Sequence, residues 1–96
     1  GVMGNPNKSI KGFILDSTIY NVINNHNIYL YKVSNKTSTL LKFYLPQSTV
    51  TNSMNQLYKS KYFITSSSNI TSRFLLNNPS SQMFYRFGSN YLIKVK

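Results

Sequence analysis

The chain contains no cysteine, no tryptophan, no alanine, no glutamate and a single aspartate, Asp16. Without cysteine there is no disulfide framework, no thiolate nucleophile and no thiolate-built zinc or iron–sulfur site. One carboxylate and one histidine, His26, offer neither a two-carboxylate acid–base pair nor the several ligands a metal needs. His26 falls among Asn24, Asn25 and Asn27, where a solvent-exposed turn residue is expected. No glycine-rich phosphate loop occurs. No apolar run approaches the roughly 18 residues that span a bilayer. These absences lead to the expectation of a non-enzymatic protein with no catalytic residue, metal, cofactor, small-molecule substrate or membrane span.

What is present is positive charge. Eleven lysines and arginines stand against the one acid, a formal net charge of +10 on 96 residues. A surface so short of its own anions calls for counter-ions from elsewhere, and nucleic acid is the commonest polyanion. Asparagine, lysine, isoleucine, tyrosine and phenylalanine are written by A/T-rich codons. Their abundance suggests an A/T-rich genome: an organelle, an A/T-rich protist or a low-G/C bacterium. Coding bias does not account for the missing acids, because glutamate and aspartate also have A/T-rich codons. Repulsion from phosphate is a sufficient reason.

An apolar share of 41% is enough for one modest core and too rich for a disordered basic tail. The opening Gly1-Val2-Met3 suggests a processed form or a piece of something longer. Residues 1–12, with Gly1, Gly4, Pro6 and Gly12, read as an irregular basic arm carrying Lys8 and Lys11. Residues 13–96 read as one α+β domain. Phe13–Leu15 is a short apolar run closed by Asp16-Ser17. Ile19 to Ile23, Ile28 to Val33 and Leu40 to Leu45 read as three antiparallel strands, joined by an asparagine-rich turn and a second turn at Ser34–Ser38. Residues 47–58 fit a short strand pair or a loop. Ser66–Asn69 offers helix N-caps, and Ile70, Phe74 and Leu75 follow at helical spacing. Pro79 breaks that helix or opens a second one, along which Met83, Phe84 and Phe87 continue an apolar stripe until Gly88. Tyr91, Ile93 and Val95 alternate with Leu92 and Lys94 as a final strand. The expected fold is a small antiparallel sheet of three to four strands with one helix, whole or broken at Pro79.

The basic residues are spread along the chain, which suits contact with the phosphates of folded RNA by shape and charge. The candidate RNA contacts are Lys8, Lys11, Lys32, Lys36, Lys59, Lys61, Arg73, Arg86, Lys94 and Lys96. Tyr29, Tyr31 and Tyr44 could stack bases on one sheet face, but a core role is the simpler expectation. The basic–glycine–aromatic series of the RNA-recognition motif is absent.

The order of expected elements, with Thr71-Ser72-Arg73-Phe74-Leu75-Leu76-Asn77-Asn78 opening the helix, resembles the first domain of the universal ribosomal protein six of the large subunit. The matching positions are Ile19, Val22, Ile23, Asn24, Ile28, Leu30, Leu40, Thr71, Arg73, Leu75, Leu76 and Asn78, with Phe87 and Tyr91–Lys96 beyond. Ser34, Asn35 and Ser38 replace the family's turn glycines, and Pro79 falls within its helix. The chain stops where that family's second domain would start. The resemblance therefore implies a half-length or split version, with the partner half encoded elsewhere or lost. The charge, the missing acids and the A/T bias, together with this resemblance, lead to the expectation of a structural constituent of an organellar large ribosomal subunit, in the mitochondrial matrix or alternatively a plastid. Ribosomal RNA and neighbouring ribosomal proteins would be its partners. An accessory subunit of an inner-membrane respiratory or ATP-synthase complex is the alternative, its charge set against cardiolipin. A free nucleic-acid-binding protein of phage type is a third.

Overall fold

In the computed structural model, which describes residues 2–96, short strands and helices alternate. The order is β1 (Met3–Asn5), α1 (Ile10–Ile14), a 3₁₀ turn (Ser17–Ile19), α2 (Tyr20–Asn25), β2 (Ile28–Tyr31), α3 (Asn35–Tyr44), β3 (Thr49–Thr51), α4 (Met54–Lys59), β4 (Tyr62–Thr65), α5 (Ser68–Asn77), β5 (Gln82–Phe87) and β6 (Asn90–Lys94). All strands join one sheet in the order β1-β5-β6-β4-β2-β3. β1 lies parallel to β5, and β2 lies parallel to both β3 and β4. β6 runs antiparallel between β4 and β5, so it alone points against the rest.

Each face of the sheet has its own core. Phe13 of α1, Ile19, Ile23 of α2 and Leu41 of α3 pack on Ile28, Leu30, Ile64 and Leu92. Leu57 of α4 and Phe74 of α5 pack on Tyr31, Phe63, Ile93 and Val95 on the other side. Connections that step toward β3 cross the first face, and those that step back cross the second, as right-handed crossovers require. All four residues of β4, Tyr62-Phe63-Ile64-Thr65, are buried, as in a strand covered on both faces. The Phe13 ring stacks on Phe87 at 4.1 Å between centroids and lies 5.3 Å from the Tyr85 ring. Burying each such side chain contributes roughly 1.5–3 kcal/mol.

The α+β class expected from the sequence is the class of the fold, and the sheet is larger than expected. The final strand and the helix after Ser66–Asn69 are where the sequence puts them. Ser67 caps α5 by accepting the Ile70 N–H at 3.1 Å, and the helix stops at Asn77, before Pro79. Two expected strands are helices. Residues 19–23 lie in the 3₁₀ turn and α2, because Ile19 and Ile23 meet the core at helical spacing after Asp16 caps the turn through the Thr18 N–H. Residues 40–45 end α3, because Ser34 caps that helix and Ser38, Leu41 and Leu45 form its buried stripe. β2 therefore pairs with parallel neighbours instead of sitting in an antiparallel meander. The 83–87 stripe is a strand: an irregularity between Met83 and Tyr85 interrupts the alternation and mimics a helical period. Gly88, at φ +57°, makes the two-residue turn into β6. Within the expected arm, Met3–Asn5 forms the edge strand β1. Gly4, at φ +74°, comes so close to β5 that a Cβ there would strike the Arg86 carbonyl and the Tyr85 ring.

Candidate nucleic-acid interface

Strand direction sorts the cations into two poles. The first lies at the carboxyl ends of β1 to β5. Lys8 follows β1, Lys32 follows β2, Lys11 and Lys36 sit in the first turns of α1 and α3, and Arg86 is the last but one residue of β5. The second pole is the opposite end. Lys59 and Lys61 precede β4, Lys94 ends β6 and Lys96 follows it. The Val95 N–H donates to the Lys61 carbonyl at 2.8 Å, which holds these two segments side by side. Arg73, exposed in mid-α5, belongs to neither pole. The sequence also contains Lys42, which is not among the expected contacts; its Nζ donates to the Ser48 carbonyl at 3.3 Å.

At the first pole β2 and β4 are neighbours, and the helices that follow them leave for opposite faces. Such a divergence opens a crevice at the carboxyl ends of the strands. The Ser66 N–H donates to the Lys32 carbonyl across it at 3.4 Å, and the Ser66 hydroxyl donates to Asn90 Oδ1 at 2.7 Å. α3 and α5, of 10 residues each, both begin here with the partial positive charge of a helix amino end. Lys32 adopts φ +54°, a left-handed conformation that costs a residue with a Cβ about 1 kcal/mol. Its Nζ stands 5.7 Å from the Tyr31 ring centre.

The single acid cannot neutralise this surface. Asp16 Oδ1 accepts the Thr18 N–H at 3.0 Å and the Thr18 hydroxyl at 2.7 Å; Oδ2 accepts the Tyr85 hydroxyl at 2.7 Å. These bonds, those from Thr18 first, hold the Asp16 carboxyl down at about 2. Burial, reinforced by Asp16, pushes the Tyr85 phenol well above its ordinary value. Lys8 Nζ stands 3.9 Å from Oδ2 in the one side-chain ion pair among the described residues. The other cations have no side-chain carboxylate to meet. Arg86 is half-buried, with its guanidinium 5.3 Å from the Tyr91 ring centre and its buried Nε without a hydrogen-bond partner.

Of the tyrosines expected to choose between stacking and core, Tyr31 is buried and Tyr29 packs half-buried against the second core. Tyr44 is not on the sheet; it ends α3. Sequence reasoning singles out Arg73 but not Tyr58, which shares a pocket with it. The missed signal is the one-turn spacing of Met54 and Tyr58 beside a matching stripe on α5. An apolar groove of about 380 Å³ also opens between α1, α2 and the end of α3, lined by Leu15, Tyr20, Ile23, Tyr44 and Leu45. Near it Leu15, Tyr20 and Phe43 are 71%, 60% and 77% exposed. No helix is long and apolar enough to cross a membrane among the described residues. No protein family, curated protein or solved structure matches the chain.

Proposed function

We propose that this protein is a structural constituent of a ribosome, organellar by its A/T-biased composition, held on large-subunit RNA by phosphate contacts. The observation that carries the proposal is the charge imbalance fixed in the fold. The only side-chain carboxylate is already engaged by Thr18, Tyr85 and Lys8, while the other lysines and arginines, most of them at the two ends of the sheet, have no side-chain carboxylate to pair with. Each phosphate they neutralise releases condensed counter-ions, and that release supplies the affinity without reading sequence. The crevice at the first pole adds two helix amino ends to Lys32 and Lys36. The apolar groove beside Leu15 and Tyr20 supports a place among neighbouring proteins, because contiguous exposed apolar surface marks contact with a partner.

The stretch Thr71–Asn78 that resembles the ribosomal family falls in α5 up to Asn77, with Asn78 as the C-cap, and its Arg73 is exposed. The strands the resemblance implies over 19–23 and 40–45 are helical, so RNA binding rests on the charge, and only the large-subunit assignment rests on the resemblance. Sedimentation of native organelle lysate through a sucrose gradient tests it. The protein is expected in the large-subunit fractions at low salt, and nuclease or high salt is expected to release it. A protein that stays at the top of the low-salt gradient would overturn the proposal.

A further inference from the structure

We infer that the slot between α4 and α5 receives one unpaired nucleobase of the bound RNA. This rests on the RNA-binding proposal above and adds to it a contact with a base, where the poles contact only phosphate.

Two helix stripes make the slot. Met54 and Tyr58 stand one turn apart on α4, and Ile70, Arg73, Phe74 and Asn77 form a stripe of α5 facing them. They enclose about 170 Å³. That space, open on one side, takes one flat heteroaromatic ring. Phe74 is buried and its ring lies 5.4 Å from that of Tyr58, with 27° between the planes. Phe74 in turn packs edge-on against buried Phe63 of β4, at 4.9 Å. The sheet thus braces Phe74, and Phe74 braces Tyr58, which is nevertheless 43% exposed. An exposed tyrosine held from behind is a stacking platform that loses little freedom when a ring settles on it.

The polar lining narrows the ligand class. Arg73 has no carboxylate to meet, since Asp16 is engaged on the other face of the sheet. Asn77 brings an amide that both donates and accepts. A purely apolar ligand would leave both groups unmatched. A base with its phosphate meets all three: ring on Tyr58, ring edge on Asn77, phosphate on Arg73. Bases in a duplex hide their faces in the stack, so the slot selects a nucleotide from a loop, a bulge or a single strand.

Fluorescence anisotropy of the purified full chain with labelled RNA tests this. The probes are a short single strand of A and C only, the same strand with its bases removed, and a duplex of equal length, all at one salt concentration. The base-bearing strand is expected to bind about tenfold tighter than the base-free one. Tyr58→Leu is expected to abolish that difference and leave duplex affinity unchanged, and Tyr58→Phe to preserve it. Equal affinity for the base-bearing and base-free strands would overturn the inference, and this comparison needs no variant to fold. Wild-type binding to the duplex with no preference for bases sinks the slot alone; binding to none of the probes sinks the RNA proposal with it. Adenosine monophosphate that displaces the strand at equal concentration would mark a free-nucleotide site and overturn the RNA assignment.

Discussion

Asp16 and Tyr85 join the start of the chain to β5, and each shifts the other's titration in a way that stability can report. The Asp16 carboxyl is lowered from 3.8 to about 2. Its contribution is therefore complete above the ordinary value and lost as pH falls from about 4 toward 2. Tyr85 has the opposite sign. Its phenol is raised, so the folded protein keeps a proton that the unfolded chain releases above about pH 10, and stability falls as pH rises beyond that point. Urea midpoints against pH should show both flanks. Asp16→Asn should flatten the acid flank and cost roughly 2 kcal/mol at neutral pH, the worth of hydrogen bonds to a charged group. Tyr85→Phe should remove the part of the alkaline flank that Tyr85 causes. Lys32 is a second case. Its φ of +54° suits glycine, so Lys32→Gly should leave the protein at least as stable, by roughly 0–1 kcal/mol, while weakening RNA binding. A drop in both stability and binding would mean that Lys32 acts in the fold and not on the ligand.

At the scale of elements, the chain makes its helices legible where a cap and a buried stripe coincide. Ser67 with Ile70, Thr71 and Phe74 announces α5, and alternation announces β6. Ser34, Ser38, Leu41 and Leu45 carry the same signal for α3, but the β-branched and aromatic residues around them imitate a strand. β5 fails in reverse, since its irregularity between Met83 and Tyr85 lets Met83, Phe84 and Phe87 imitate a helical stripe. Parallel pairing of β2 with β3 and β4 is invisible locally, because it depends on crossovers that no short window contains. The caps give a measurable claim. Ser34→Ala and Ser67→Ala each lose a side-chain acceptor, for Thr37 N–H and Ile70 N–H, and each should cost about 1 kcal/mol, or roughly 4–8 °C in Tm. The double variant should cost about the sum if the two helix starts are energetically separate. A shortfall would show that they are coupled through the Ser66–Lys32 contact at the crevice.

Over the whole molecule, the sequence makes the charge legible but not its placement. Lys8, the Lys32–Lys36 pair and Arg86 are far apart in the chain, and only the common direction of β1, β2 and β5 brings them to one end. Lys61 and Lys94 meet because β6 returns antiparallel beside β4. Two opposed cationic ends suit a protein wedged between RNA segments, whereas a protein lying on one RNA surface would need its charge on one side. The salt dependence of RNA binding distinguishes the two arrangements. Each phosphate contact adds about 0.7–0.9 to the slope of log affinity against log salt. Lys32→Gln with Lys36→Gln removes two cations from the first pole, and Lys59→Gln with Lys61→Gln removes two from the second. On a folded RNA large enough to reach both ends, each pair should lower the slope by about 1.5, and the four changes together by about 3. If only one pair moved the slope, the RNA would lie along a single end, and the other pole's lysines would serve solubility alone. Neutral outcomes for both pairs would leave the excess charge without a phosphate partner and remove the basis on which the function is proposed.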